Sequence, residues 1–298
     1  MEIISVVPRG YCQGVVRAIQ IAKDTAATHR GEKITMLGMI VHNSFVVEAC
    51  RKAGISFLED PNRTRLELLD DINEGVVIFT AHGVSDAVRQ KALAKDLTVV
   101  DATCNDVRKT HDLIKAHTGD IIYIGKKKHP EAEAALGLSE RVHLVSNPDD
   151  IVSLPPLHNV LITNQTTLSV LDTNLLIQEC KEKYPDAEVA EEICNATRIR
   201  QEAVMKIDHA DLLIVVGDPR SNNSRQLAET GRKAGIPESI LIASVEDLNE
   251  EMIKNKDRIA VTSGSSTPNI LTKQVIDVLK DYAATGNFQY IKADPAVL

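Results

Sequence analysis

The sequence predicts an α/β fold of three pseudo-threefold-related units, each with a mostly parallel sheet. Short Val- and Ile-rich runs alternate with helical patterns along the chain, as parallel strands joined by crossover helices do. Three cysteines, Cys12, Cys104 and Cys194, stand 92 and 90 residues apart, a near-constant spacing that marks an internal repeat.

The first repeated element is an apolar run, the cysteine, then an amphipathic helix: "IISVVPRGYCQGVVRAIQIA", "LTVVDATCNDVRKTHDLI" and "AEVAEEICNATRIRQEAVMKI". Cys50 and Cys180 sit inside helical patterns without counterparts and read as structural. The second element is strand, polar turn and helix in "ITMLGMIVHNSFVVEA", "IIYIGKKKHPEAEA" and "LLIVVGDPRSNNSRQLAE", which place His42, His129 and Asn223 in the turn. The third is an apolar run ending in polar residues: "VVIFTAHGVSDAV" with His82, "NVLITNQTTLSVLD" with Thr166 and "RIAVTSGSSTPNIL" with Ser266.

The units are assigned to residues 1–97, 98–187 and 188–298, the last with a C-terminal tail; residues 1–8 either begin the first unit or close the third. Length alone suggests about two domains, and the repeat outweighs it. Ligands of parallel α/β sheets bind outside the carboxyl ends of the strands, so nine polar clusters would pool in one central cavity.

A formal charge of −8 and a pI of about 5.6 argue against nucleic-acid or general membrane-surface binding, which need clustered cations. No basic leader precedes the first apolar run and no stretch approaches the roughly 20 apolar residues of a membrane span, so the expected location is cytoplasmic. Five cysteines in such a chain point away from a disulfide framework and toward metal or catalysis.

A helix start and neighbouring cations such as Arg17 or Lys109 favour a thiolate, the form of cysteine that binds metal. Three thiolates match three corners of a cubane iron–sulfur cluster and leave one iron without a protein ligand; that iron would act as a Lewis acid. An open zinc site and plain core cysteines are the competing readings. The repeat favours the cluster over both.

The polar ring offers His42, His82, His129, Ser221, Asn223 and Ser266, with backbone N–H groups of "SNNS" and "SGSS" at helix starts, a set that cradles phosphate. His29, His111, His117, His143, His158 and His209 lack repeat-equivalent turns and read as structural. Lys126 to Lys128 read as a solvated run that would alternatively guide an acidic partner or substrate. Glu131, two residues after His129, is placed to deliver a proton, and Thr166 to bond Glu131 and a substrate hydroxyl. Their default roles are helix cap and strand-end turn.

The ordered motifs "PRGYCQGV", "MIVHNSFVV", "FTAHGVS", "DATCNDV", "GKKKHPEAEA", "TNQTTLSV", "EICNATRIRQEAV", "VVGDPRSNNSRQLAE" and "VTSGSSTPNIL" resemble the 4-hydroxy-3-methylbut-2-enyl diphosphate reductase (IspH/LytB) family over nearly the whole chain. The resemblance implies a trefoil of three units around a central 4Fe-4S cluster held by Cys12, Cys104 and Cys194, with the fourth iron open. It implies reductive dehydration of an allylic diphosphate to isopentenyl and dimethylallyl diphosphates, the last step of the non-mevalonate isoprenoid pathway, with reduced ferredoxin or flavodoxin as electron donor. It assigns His42, His82, His129, Ser221, Asn222, Asn223 and Ser266 to the diphosphate, Glu131 to proton delivery and Thr166 to the hydroxyl. Asn222 stands where some members have serine, and the end "FQYIKADPAVL" is shorter than in some relatives. A non-redox iron–sulfur dehydratase and a metal-knotted phosphate-binding protein are the alternative functions. The first predicts turnover without reductant, the second no need for Glu131 or Thr166.

Overall fold

The inner strands form from runs of β-branched and large apolar residues that are buried on both faces. The computed structural model describes residues 1–292; the last six residues of the tail singled out in the sequence lie outside the described residues. Among the described residues, three four-stranded sheets form, and every strand pairing is parallel.

Strand β1 (Glu2–Ser5) precedes Cys12. β2 (Ile34–Leu37), β3 (Ile55–Leu58), β4 (Val76–Phe79) and β5 (Thr98–Asp101) form one sheet in the order β3-β2-β4-β5. β6 (Ile121–Ile124), β7 (Val142–Val145), β8 (Leu161–Asn164) and β9 (Glu188–Val189) form the second, β7-β6-β8-β9. β10 (Leu212–Val216), β11 (Glu238–Ile242) and β12 (Arg258–Ser263) form the third with β1, in the order β11-β10-β12-β1. The strand ahead of a cysteine is thus always one edge of a sheet. β1 pairs with β12, so the first residues close the third sheet. Likewise β5 and β9 complete the sheets that precede them in sequence, just beyond residues 97 and 187.

Packing divides the chain into two compact units. One holds the residues up to Gln13, His42–Ala49 and the chain from Asn195 on, and so the third sheet; the other holds Gly14–Val41 and Cys50–Cys194, and so the first two sheets. In the third sheet Leu212, Ile214, Val216, Ile259 and Val261 pack on the helix Asn269–Thr285 through Leu271, Val275 and Leu279. The alternate residues Leu213, Val215 and Ala260 pack on Val204, Leu227 and Ala228. The second sheet divides the same way, Ile122, Ile124 and Ile162 to one face, Ile121, Tyr123 and Leu161 to the other. Two buried faces explain why these strands read as continuous apolar runs rather than alternating ones. Each fully buried Val or Ile contributes about 1.5–3 kcal/mol.

Candidate active site

Each cysteine occupies the same place in its sheet. Cys12, Cys104 and Cys194 directly precede the helices Gln13–Thr28, Asn105–Ala116 and Asn195–Met205. The backbone N–H of Cys12 donates to Ser265 O at 3.0 Å, that of Cys104 to Ala81 O at 3.0 Å and that of Cys194 to Thr166 O at 3.1 Å. In all three the acceptor lies just past the neighbouring strand, β12, β4 or β8, beside the third polar set. All three are half-buried thiols outside any disulfide. Cys50 and Cys180 are buried instead, and burial pushes each thiol up to about 11.

Two glycines permit these turns. Gly10 has φ +75°, and a Cβ there would sit 1.6 Å from Asn269 Oδ1; its N–H donates to Ser263 Oγ and its carbonyl accepts from buried Arg200. Gly83, next to His82, has φ +77°, and a Cβ would meet His111 Cε1 at 2.7 Å. Both positions combine left-handed backbone with no room for a side chain. His111 keeps its structural reading: it is buried, with a pKa lowered to about 4, first by burial and then by Lys115.

Within the unit of the first two sheets, His129 caps the helix Pro130–Leu136, its Nδ1 accepting the Glu131 N–H at 3.2 Å. With Nδ1 accepting, a proton on the neutral ring sits on Nε2, which makes that edge a donor. The His82 ring meets that of His129 edge-on at 5.6 Å, and His82 Nδ1 lies 3.2 Å from Thr80 Oγ1.

Glu131 is 2% exposed. Its Oε1 accepts the Thr166 N–H at 2.7 Å and its Oε2 the Thr166 hydroxyl at 3.1 Å. Burial pushes its pKa up to about 7; the two Thr166 bonds oppose the rise and the charge of Asp106 adds to it. Asp106, in the first turn after Cys104, is the member of this group that the sequence reading missed, because its influence acts across two helices. Gln165, before Thr166, accepts the Lys126 N–H at 3.0 Å, while Lys127 pairs with Asp150 at 2.7 Å. Arg17 donates to Thr103 O at 2.8 Å, and Lys109 pairs with Glu192 at 2.9 Å.

In the other unit, Ser221 caps the helix Asn222–Lys233, and Ser221, Asn222, Asn223 and Ser266 are all buried. Ser266 Oγ donates to His42 O at 3.2 Å and lies 3.4 Å from Ser221 Oγ. Asn223 braces the turn, accepting the Ser265 N–H at 2.9 Å and donating to Thr197 Oγ1 at 3.0 Å. Asn43 caps the helix that follows His42, accepting from Phe45 N–H and Val46 N–H. Buried hydroxyls and amides are costly unless bonded, so such a concentration at strand ends marks a built polar site.

A family model described as LytB protein matches residues 3–280. The chain belongs to the LytB family. It is 48% identical over 289 residues to the 4-hydroxy-3-methylbut-2-enyl diphosphate reductase of Bacillus cereus (strain AH820), across 95% of this chain and 91% of that one. It is also 48% identical over 292 residues to the protein of that name from Bacillus cytotoxicus, across 96% and 92%. Among solved structures, the E-1-hydroxy-2-methyl-but-2-enyl-4-diphosphate reductase of Plasmodium falciparum matches with a TM-score of 0.88 at 32% identity, over 98% of this chain and 92% of that one. A second, an (E)-4-hydroxy-3-methyl-but-2-enyl diphosphate reductase described as the terminal enzyme of the non-mevalonate pathway, matches with a TM-score of 0.63 at 26% identity, over 94% and 100%.

LytB-family reductases are iron–sulfur enzymes, and the donor set here fits that chemistry. One half-buried thiol stands at the equivalent strand end of each sheet, at a helix start, whereas the two thiols whose pKa is raised are buried within helices. Among the described residues no helix is long and apolar enough to cross a membrane.

Proposed function

We propose that this chain reductively dehydrates 4-hydroxy-3-methylbut-2-enyl diphosphate to isopentenyl and dimethylallyl diphosphates, the last step of the non-mevalonate isoprenoid pathway. The observation that carries this reading is Thr166, which bonds Glu131 through its N–H and hydroxyl and Cys194 through its carbonyl. A proton source and a metal ligand are thereby fixed to one residue.

Cys12, Cys104 and Cys194 would hold one 4Fe-4S cluster with one iron open. When bound, the cluster supplies electrons and a Lewis acid. The remaining work belongs to the protein. Glu131, with a pKa near 7, keeps a protonated population at neutral pH and delivers a proton as the hydroxyl leaves as water. Thr166 orients that carboxyl and bonds the substrate hydroxyl. His42, His82, His129, Ser221, Asn222, Asn223 and Ser266 hold the diphosphate, which fixes the carbon chain and keeps bulk water from the allylic fragment.

The balance is two electrons and two protons in, one water out; protonation at either end of the allylic fragment gives the two products. Reduced ferredoxin or flavodoxin supplies the electrons. The net charge of −8 speaks against nucleic-acid or general membrane-surface binding, so the anionic substrate is met by the local polar site alone, in an enzyme we place in the cytoplasm. The test is an anaerobic incubation with the allylic diphosphate, with and without a low-potential reductant. Both products appearing only with reductant supports the proposal. Turnover without reductant would make the protein a non-redox dehydratase, and no turnover in either arm would remove the activity.

A further inference from the structure

One buried carboxylate in the third-sheet unit has no part in the chemistry above. Asp218 follows β10, is 3% exposed, and is reached by Ser44 from a turn 174 residues away in sequence. Its Oδ2 accepts the Ser44 N–H at 3.0 Å. Arg220 closes on it as a fork, Nε to Oδ1 at 2.9 Å and Nη2 to Oδ2 at 2.7 Å, and adds its own backbone N–H to Oδ1 at 2.9 Å.

Ser44 opens the helix Ser44–Lys52, two residues after His42. First-turn N–H groups have no partner within the helix. Asn43 serves those of Phe45 and Val46, and Asp218 serves that of Ser44. Three residues after Asp218 stands Ser221, whose N–H returns to the Asp218 carbonyl at 2.9 Å. Ser266 supplies the second tie between the same two turns, through the His42 carbonyl.

A buried carboxylate beside an anion site would repel the anion unless its charge is neutralised in place. Arg220 does this with a bidentate fork that a lysine does not reproduce. Its side chain is 54% exposed, so core packing does not account for it. Burial acts to push the Asp218 pKa up, yet the Arg220 bonds hold it below the usual carboxylate range.

We infer that Asp218 is a positioning residue for the diphosphate, locking the turn of His42 to the turn of Ser221, and that Arg220 cancels its charge so that the lock does not repel the ligand. This rests on the assignment of the diphosphate to those turns under the proposed function.

The test is calorimetric titration of inorganic diphosphate into the anaerobically purified holoprotein, for the wild type, Arg220→Ala and the double variant Asp218→Asn/Arg220→Ala, with thermal melts as a folding control. Arg220→Ala exposes the uncancelled carboxylate and should weaken binding about tenfold. In the double variant Asn still accepts from Ser44 but carries no charge, so affinity should return to within about threefold of wild type. A merely structural role predicts the opposite order, the double variant being no better than the single. Wild-type affinity in Arg220→Ala, or no rescue in the double variant, overturns the inference alone. Failure of the wild type to bind diphosphate overturns it together with the functional reading.

Discussion

Thr166 grips both oxygens of Glu131, with its backbone N–H on Oε1 at 2.7 Å and its hydroxyl on Oε2 at 3.1 Å. Burial favours the neutral acid and the two bonds favour the carboxylate, and burial wins, leaving a pKa of about 7. A carboxyl tuned there is suited to give a proton at neutral pH.

Glu131→Gln keeps an acceptor for the Thr166 N–H but removes the proton. Turnover should fall by about 100-fold or more, while the visible spectrum of the cluster stays as in the wild type. Near-normal turnover in steady-state assays would take Glu131 out of the proton path.

The raised pKa of Glu131 also sets two pH dependences. In kcat/KM the protonated fraction should fall tenfold per unit above about pH 7, a limb absent from Glu131→Gln. In stability, the carboxyl is protonated in both states below its ordinary value of 4.5 and ionised in both above about 7. Between them the folded state holds the extra proton, so rising pH favours unfolding. Relative to Glu131→Gln, the wild type should lose about 3 kcal/mol across that window, measured by denaturant melts at several pH values. Parallel curves for the two proteins would contradict the assignment.

Thr166→Val removes the hydroxyl and keeps the N–H. With one bond to the carboxylate lost, the alkaline limb of the rate profile should move up by roughly half a unit to one unit. A limb that stays in place, or moves down, would mean that the hydroxyl does not bond the carboxylate.

Cys104→Ser should lose iron and activity together. Cys180→Ala, in the core of the second sheet, should keep its iron and lose only about 1 kcal/mol of stability. Equal iron loss in both, by metal analysis, would mean that the equivalence of Cys12, Cys104 and Cys194 has no bearing on the metal.

Much of this was legible from residue order. The repeat of Cys12, Cys104 and Cys194 located the strand ends, because two-sided burial turns β2, β4, β6, β8, β10 and β12 into apolar runs that stop where polar residues begin. The partner of β1 was not legible: a parallel strand pairs across a long crossover, and nothing local in "EIIS" prefers β12 over β2. Thr166 is itself a repeat position and Glu131 stands two residues from another, His129, but the burial that raises Glu131 depends on packing far from it in sequence. Asp218 and Arg220 lie inside a quoted motif, yet their link to Ser44 joins two turns that no spacing relates.

The most direct test of the account is iron and acid-labile sulfide analysis, with a visible spectrum, on anaerobically prepared protein. The account predicts about four irons and four sulfides per chain. Colourless protein that takes up no cluster on anaerobic reconstitution would contradict it and leave the three cysteines as zinc ligands or core residues.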